Sequence, residues 1–157
     1  MTKKQDRGLI RKMPLTKLTE KPVYEFCYPI TVQPRDINYG GHLGVDSLIS
    51  IIHTARAYIF KSGGISETDL GDGRTGIIMT DVEINLKAEG FMFDNLEVFT
   101  HVGELTKKGF RFFHKISRDD STLALAEMGF LTIDYDTRKV TLVPDACIRA
   151  LGLLQRT

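Results

Sequence analysis

Two cysteines, Cys27 and Cys147, are all that 157 residues contain. A disulfide scaffold in so short a chain needs more, and a chain with 42% hydrophobic residues needs no staple, so both are expected as reduced thiols. An excess of one charge is also missing. Lys and Arg number 21 against 20 Asp and Glu, a net charge of +1, so no whole-protein field points to nucleic acid or a membrane surface. No apolar run reaches the ~20 residues that span a bilayer. The N-terminal stretch carries Lys3, Lys4, Arg7, Arg11 and Lys12 without the apolar segment of a secretory signal. A solvated tail over residues 1–22, a single domain over 23–157 and a cytoplasmic location are therefore expected. There is no Gly-x-Ser-x-Gly elbow, which argues against a serine hydrolase, and no phosphate loop. His42, His53, His101 and His114 lack the tight spacing of metal ligands. No metal and no resident cofactor are expected.

What stands out is Pro34-Arg35-Asp36-Ile37-Asn38-Tyr39-Gly40-Gly41-His42-Leu43-Gly44, which runs into an apolar segment, Val45 to Phe60. Glycines let backbone amides approach a ligand closely. A helix start offers unpaired N–H groups to a developing negative charge. Asp36, Asn38, His42 and Asp46 crowd the same junction, and that combination points to a reaction centre. Each of these residues also has a plainer use. Asp46 suits a helix start, Asp36 a turn bond, Asn38 a left-handed position, His42 and His53 an interface or core, and Gly40, Gly41 and Gly44 the turn itself.

Around this loop the pattern is orderly. Tyr24 to Val32 reads as a strand, ended by Pro34. Leu48, Ile49, Ile51, Ile52, Ala55, Ile59 and Phe60 cover most of a helix, which predicts burial nearly all round, except for the stripe Asp46, Ser50, His53. Ser62-Gly63-Gly64 stops the helix. From Gly76 to Glu89 the residues alternate, with Ile78, Val82, Ile84 and Leu86 expected on one side. Leu96 to Val102, Phe110 to Ser117, Thr122 to Ile133 and Val140 to Val143 follow as strands with tight turns. Pro144 opens a last helix with Ile148, Leu151 and Leu154 on one side. Tight turns make antiparallel neighbours. The expected fold is α+β, a long central helix wrapped by a curved antiparallel sheet of five or six strands.

This order, together with Asp36-Ile37-Asn38-Tyr39-Gly40-Gly41-His42-Leu43, Ala55-Arg56 in the helix and Phe91-Met92-Phe93-Asp94-Asn95-Leu96-Glu97-Val98, resembles the hotdog-fold acyl-CoA thioesterases over residues 23–143. Within that group it is most similar to the 4-hydroxybenzoyl-CoA thioesterase-like family. The resemblance implies a hotdog fold and hydrolysis of an acyl-CoA or acyl-carrier-protein thioester, with coenzyme A entering only as part of the substrate. The family loop usually carries two acids, D-x-D, the second being the catalytic carboxylate. Here that position is Asn38. His53 and Thr54 stand where relatives often carry Glu. The carboxylate is then expected from Asp46 first and Asp36 second.

Thioester hydrolysis needs a polarised carbonyl, a base or nucleophile, and an apolar slot. Asp46 is the expected base or nucleophile, Asn38 an orienting amide, and His42 a partner holding the Asp46 rotamer. Gly41, Gly44, Val45 and His53 are assigned to the oxyanion and substrate region, and Lys107, Lys108 and Arg111 to the phosphates of coenzyme A or to a solvated face. Phe91, Phe93, Phe110, Phe112 and Phe113 line an acyl tunnel or belong to the core. Arg56 reads as an ion-pair partner. Two other activities stay open. One is a hotdog enoyl-CoA hydratase using Asp36 and His42, although one extra residue separates Asn38 from His42. The other is acyl-CoA binding without chemistry. All three imply a homodimer at least, with tetramer or hexamer open, because a sheet covered on one face leaves its edges unprotected.

Overall fold

The structure, a computed structural model, describes residues 16–153; most of the expected tail, and Leu154, lie outside them. Runs of β-branched and aromatic residues with period two form strands, as the pleat favours. In chain order the elements are β1 (Phe26–Thr31), a short 3-10 turn (Pro34–Asp36), α1 (Val45–Ser62), β2 (Thr75–Leu86), β3 (Asn95–Thr106), β4 (Gly109–Arg118), β5 (Ser121–Asp134), β6 (Lys139–Val140) and α2 (Asp145–Ala150). The strands form one antiparallel sheet in the order β1–β3–β4–β5–β2. β6 pairs with the end of β5, beyond the point where β4 has finished. The six strands and the antiparallel α+β layer agree with the sequence pattern.

α1 has 18 residues, about 27 Å at 1.5 Å per residue. Its buried face, Leu48, Ile51, Ile52, Ala55, Ile59 and Phe60, joins Phe110, Phe112, Met128 and Phe130 of the sheet in one core. The Phe60 and Phe112 rings meet edge to face, 5.8 Å between centroids. The expected polar stripe Asp46, Ser50, His53 is exposed, and it extends further than expected, so the helix is buried on one side and not nearly all round. Asp46, Ser50, His53, Ala57 and Lys61 form an exposed stripe along its whole length, because one sheet layer covers only one side of a helix.

A second correction concerns β2. The register shifts between Met79 and Asp81, so Met79 stands opposite Phe130 and Val82 opposite Met128. The extra residue of the bulge, Thr80, turns the alternation over. Val82, Ile84 and Leu86 share the face of α1, whereas Ile78 points to the other face. Simple period-two counting placed all four together.

Residues 16–22, expected as part of a tail, lie across the face of the sheet opposite α1. The Asn85 side chain treats this segment as a neighbouring strand: its Oδ1 accepts from Leu18 N at 2.7 Å, and its Nδ2 donates to Thr16 O at 2.9 Å. Further on, Glu20 meets Lys115 at 3.4 Å and accepts from Thr122 Oγ1 at 3.2 Å. The Lys21 ammonium sits 3.7 Å from the centre of the Phe113 ring. Both cysteines are free thiols.

Candidate functional site

Pro34 ends β1 and starts the 3-10 turn, which aims the chain back across the end of the sheet. The Asp36 carboxylate accepts from Gln33 N at 2.7 Å, and Asp36 O accepts from Gly44 N at 3.0 Å. Asn38 Oδ1 accepts from Gly40 N at 2.9 Å and from His42 N at 3.4 Å. Gly41 adopts φ +83°, a left-handed turn that a side chain would strain. Leu43 N then donates to Gly90 O at 2.8 Å, which fastens the loop to the connection after β2.

This stitching leaves a cleft of about 380 Å³ lined by Asn38, His42, Leu43, Val45, Leu48, Leu86, Lys87, Ala88, Glu89, Gly90, Leu123 and Ala124. Leu48, Gly90, Leu123 and Ala124 are buried, whereas Asn38, Lys87 and Glu89 are exposed. The floor is aliphatic and the rim polar. α1 begins at the cleft with no side-chain cap, so the N–H groups of its first turn face outward with the positive end of the helix dipole.

The expected residues separate on this geometry. Asn38 sits on the rim. Its Oδ1 is occupied by loop amides, so Nδ2 is the atom it can offer a ligand. The Asp46 carboxylate makes no hydrogen bond or ion pair among the described residues. It lies against Gly44 beside Asn38, so close that a Cβ on Gly44 would collide with Asp46 Oδ1 and stand 3.3 Å from Asn38 Cβ. Val45 lines the cleft, whereas the Gly44 amide is already committed to Asp36 and cannot serve an oxyanion.

His42 does not hold Asp46. Its Nδ1 lies 3.2 Å from Leu43 O; a carbonyl only accepts, so Nδ1 carries a proton and Nε2 is turned to the cleft. Nε2 stands 3.9 Å from Glu89 Oε1. Glu89 is thus a second carboxylate of the site, one that pattern reading missed. The available signal was the end of alternation after Leu86, followed by Gly90. Asp36 is spent on the turn and does not contact His42, so the aspartate–histidine pair of a hydratase is not assembled.

The remaining expected residues lie elsewhere. His53 faces Glu67 Oε2 at 3.4 Å, two turns along α1 from Asp46. Glu67 Oε1 accepts from Arg56 Nε at 2.6 Å, and the Arg56 guanidinium lies 4.7 Å from the centre of the Phe130 ring. Arg56 is therefore the ion-pair partner its surroundings required. Arg111 is held on the opposite face of the sheet by Glu127 at 2.6 Å and Asp81 at 2.5 Å. Lys107 and Lys108 turn between β3 and β4 at the far end of those strands, ~30 Å from the cleft at ~3.3 Å per residue. None of the three reaches it. Lys87 is the cation on the cleft rim. Phe110, Phe112 and Phe113 are buried in packing, Phe91 and Phe93 are exposed, and none of the five lines the cleft.

Near the cleft, Asp94 anchors the connection between β2 and β3. Burial works against its charge, but the Phe91 amide and Arg118 outweigh it and hold the carboxyl below the usual carboxylate range. Neither thiol suits nucleophilic work. Burial pushes the Cys147 pKa up to about 12, and burial followed by the Glu97 charge raises that of Cys27. Among the described residues no cluster of His, Cys, Asp and Glu is arranged to hold a metal, and no helix is long and apolar enough to cross a membrane.

Solved structures share this architecture. A 1,4-dihydroxy-2-naphthoyl-CoA thioesterase from Synechocystis superposes with a TM-score of 0.74 at 21% identity, over 84% of this chain and 98% of that one. A hypothetical protein from Aquifex aeolicus gives 0.75 at 20% identity, over 80% and 98%. A gentisyl-coenzyme A thioesterase gives 0.71 at 17% identity, over 80% and 99%. At these identities the likeness speaks for the fold. No protein of curated function matches the sequence significantly. The sequence profile of the thioesterase-like superfamily matches residues 32–151, a span that begins at the end of β1 and includes the loop, the cleft and all of α2. The chain belongs to the thioesterase-like superfamily, the hotdog-fold group that its loop and element order resemble.

Proposed function

We propose that the chain hydrolyses an acyl-CoA thioester in the cleft at the start of α1, with Asp46 as the base. The observation that carries this reading is the Asp46 carboxylate, unpartnered among the described residues, beside Asn38 and at the uncapped start of a helix. Membership of the thioesterase-like superfamily supports it, as do fold neighbours named for dihydroxynaphthoyl-CoA and gentisyl-CoA.

In this mechanism the acyl group lies on the aliphatic floor and the thioester carbonyl faces the first-turn amides of α1. Asn38 Nδ2 adds a donor. As the carbonyl carbon becomes tetrahedral, negative charge gathers on its oxygen, where fixed donors contribute most. Asp46 takes a proton from the attacking water. The intermediate then collapses, the C–S bond breaks, and the coenzyme A thiolate leaves and takes up that proton. The products are a carboxylic acid and free thiol. His42 and Glu89 keep the opposite rim polar and wet, and Lys87 is the nearest cation for a phosphate of coenzyme A.

The test is thiol release from acyl-CoAs by the wild type, Asp46→Asn and Glu89→Gln. Asp46→Asn is expected to lower kcat by about 10²–10⁴-fold, the usual weight of a general base, with melting temperature and oligomeric state unchanged. Release that survives Asp46→Asn and disappears in Glu89→Gln moves the base across the cleft. Release from no substrate at all overturns hydrolysis and leaves ligand binding.

A further inference from the structure

We propose that the acyl group this cleft accepts is an aliphatic chain of short to medium length, and that hydroxylated aryl groups are disfavoured; this rests on the thioesterase reading of the same site. The buried part of the lining is Leu48, Gly90, Leu123 and Ala124, with Leu43 and Leu86 above them. No side chain in that floor carries a donor or an acceptor, and none is aromatic. Two carbonyls of the floor are already engaged. Leu123 O accepts from Lys87 N at 2.7 Å and Ala88 N at 3.2 Å, and Gly90 O accepts from Leu43 N at 2.8 Å. A ring hydroxyl placed there gives up its water and finds no partner.

Space argues the same way. Gly90 is tightly packed: a Cβ on it would stand 3.2 Å from both Leu43 and Leu123 side-chain atoms, which would have to give by a few tenths of an ångström. Gly90 and Ala124 are the smallest residues of the floor, and Leu43, Leu48, Leu86 and Leu123 supply the rest of its aliphatic surface. The cleft is modest in size, about 380 Å³. The thioester and the start of its carrier occupy part of this. What remains suits a chain of short to medium length.

The experiment has two arms on the full-length protein. The first measures kcat/KM for a saturated series from acetyl-CoA to palmitoyl-CoA, together with 4-hydroxybenzoyl-CoA and benzoyl-CoA. The second measures binding of the matching S-alkyl-CoA thioethers, which have no cleavable carbonyl, by calorimetry. Each methylene that enters the cleft is expected to raise affinity about fourfold, up to medium length and no further. The 4-hydroxybenzoyl thioester is expected at least about tenfold below the best aliphatic one. Ala124→Leu fills the floor and is expected to move the plateau to shorter chains. Because an enlarged buried residue can prevent folding, Ala88→Leu, on the exposed rim of the same cleft, provides a second variant with the same expected direction. A flat series, or a preference for 4-hydroxybenzoyl-CoA, overturns the aliphatic assignment and leaves hydrolysis intact. Graded thioether binding without thiol release supports the aliphatic assignment and overturns hydrolysis. No binding and no release overturn both.

Discussion

Asp36 and Asp46 carry the same functional group at the same loop–helix junction, and their surroundings divide the work. Asp36 accepts a backbone amide at short range and shapes the turn; the Asp46 carboxylate, beside Gly44 and outside the cleft lining, has no hydrogen bond or ion pair among the described residues. His114 shows the opposite extreme, a titratable group with no access to water. Its Nδ1 lies 2.9 Å from Thr100 Oγ1, its Nε2 has no hydrogen-bond partner among the described residues, and its ring stacks on Phe112 with centroids 5.9 Å apart. Burial, helped by the nearby Arg56 charge, pushes its pKa from 6.5 down to about 3. The unfolded chain takes up this proton near pH 6.5 and the folded chain resists it. The contribution of His114 to stability is therefore complete above pH 6.5 and is lost progressively as pH falls from there toward about 3. The slope reaches at most ~1.4 kcal/mol per pH unit. Asp72, Asp81, Asp94 and Asp134 have lowered pKa values, so their stabilisation fades only as pH falls through and below their ordinary 3.8. Urea unfolding between pH 6.5 and 3.8 isolates the histidine. His114→Gln, which does not titrate, is expected to flatten the curve there; equal slopes would remove His114 from the account.

At the scale of elements, the first part of the strap, residues 16–18, is held by one side chain, Asn85. Asn85 is a half-buried strand residue whose amide offers both a donor and an acceptor at the spacing of a backbone unit. Asn85→Ala removes both bonds at once. The expected cost is about 1–2 kcal/mol, because these groups are partly wet and water replaces some of what is lost. Limited proteolysis before Val23 should accelerate while the sheet stays protected. Unchanged proteolysis would shift the anchoring to Glu20 and Lys21. The strap also shows why pattern reading took this segment for a tail. Leu18-Thr19-Glu20-Lys21 has no apolar periodicity, and what holds it are groups distant in sequence: Asn85, Phe113, Lys115 and Thr122. The bulge at Thr80 was hidden for a related reason. Asp81 reads as an ordinary polar position until its bond to Arg111 and its place opposite Gly129 are seen. A Cβ on Gly129 would collide with the ends of the Asp81 and Arg111 side chains, which would have to shift.

For the whole molecule, β2 ends the sheet, and among the described residues no strand pairs with its outer edge, which invites another strand. On β2 the residues facing α1's side of the sheet include Met79, Val82 and Leu86, the last 63% exposed. The loop after α1 covers only the start of this edge, through Ile77 N and Glu67 O at 2.8 Å. We expect a homodimer whose partner copy covers β2 and closes the open side of the cleft near Leu86 and Val45. Sedimentation of Val82→Glu is the check. The expected result is a folded monomer with thiol release reduced at least about tenfold, since an open cleft leaves the acyl chain wet. A fully active monomer would refute the shared site.

The antiparallel α+β architecture, the extent of α1 from Val45, and the loop at its start were all determined by local sequence. They rest on proline, glycine, β-branched runs and apolar spacing, whose effects act over a few residues. Which loop residues meet the cleft was decided only by tertiary structure. Glu89 faces His42 because Leu43 hydrogen-bonds to Gly90 across the chain. Lys107, Lys108 and Arg111 are excluded because strand length and sheet face carry them away. Asp36 and Asp46 differ because a carboxylate's work depends on which donors surround it, and those donors are set by packing between elements far apart in sequence.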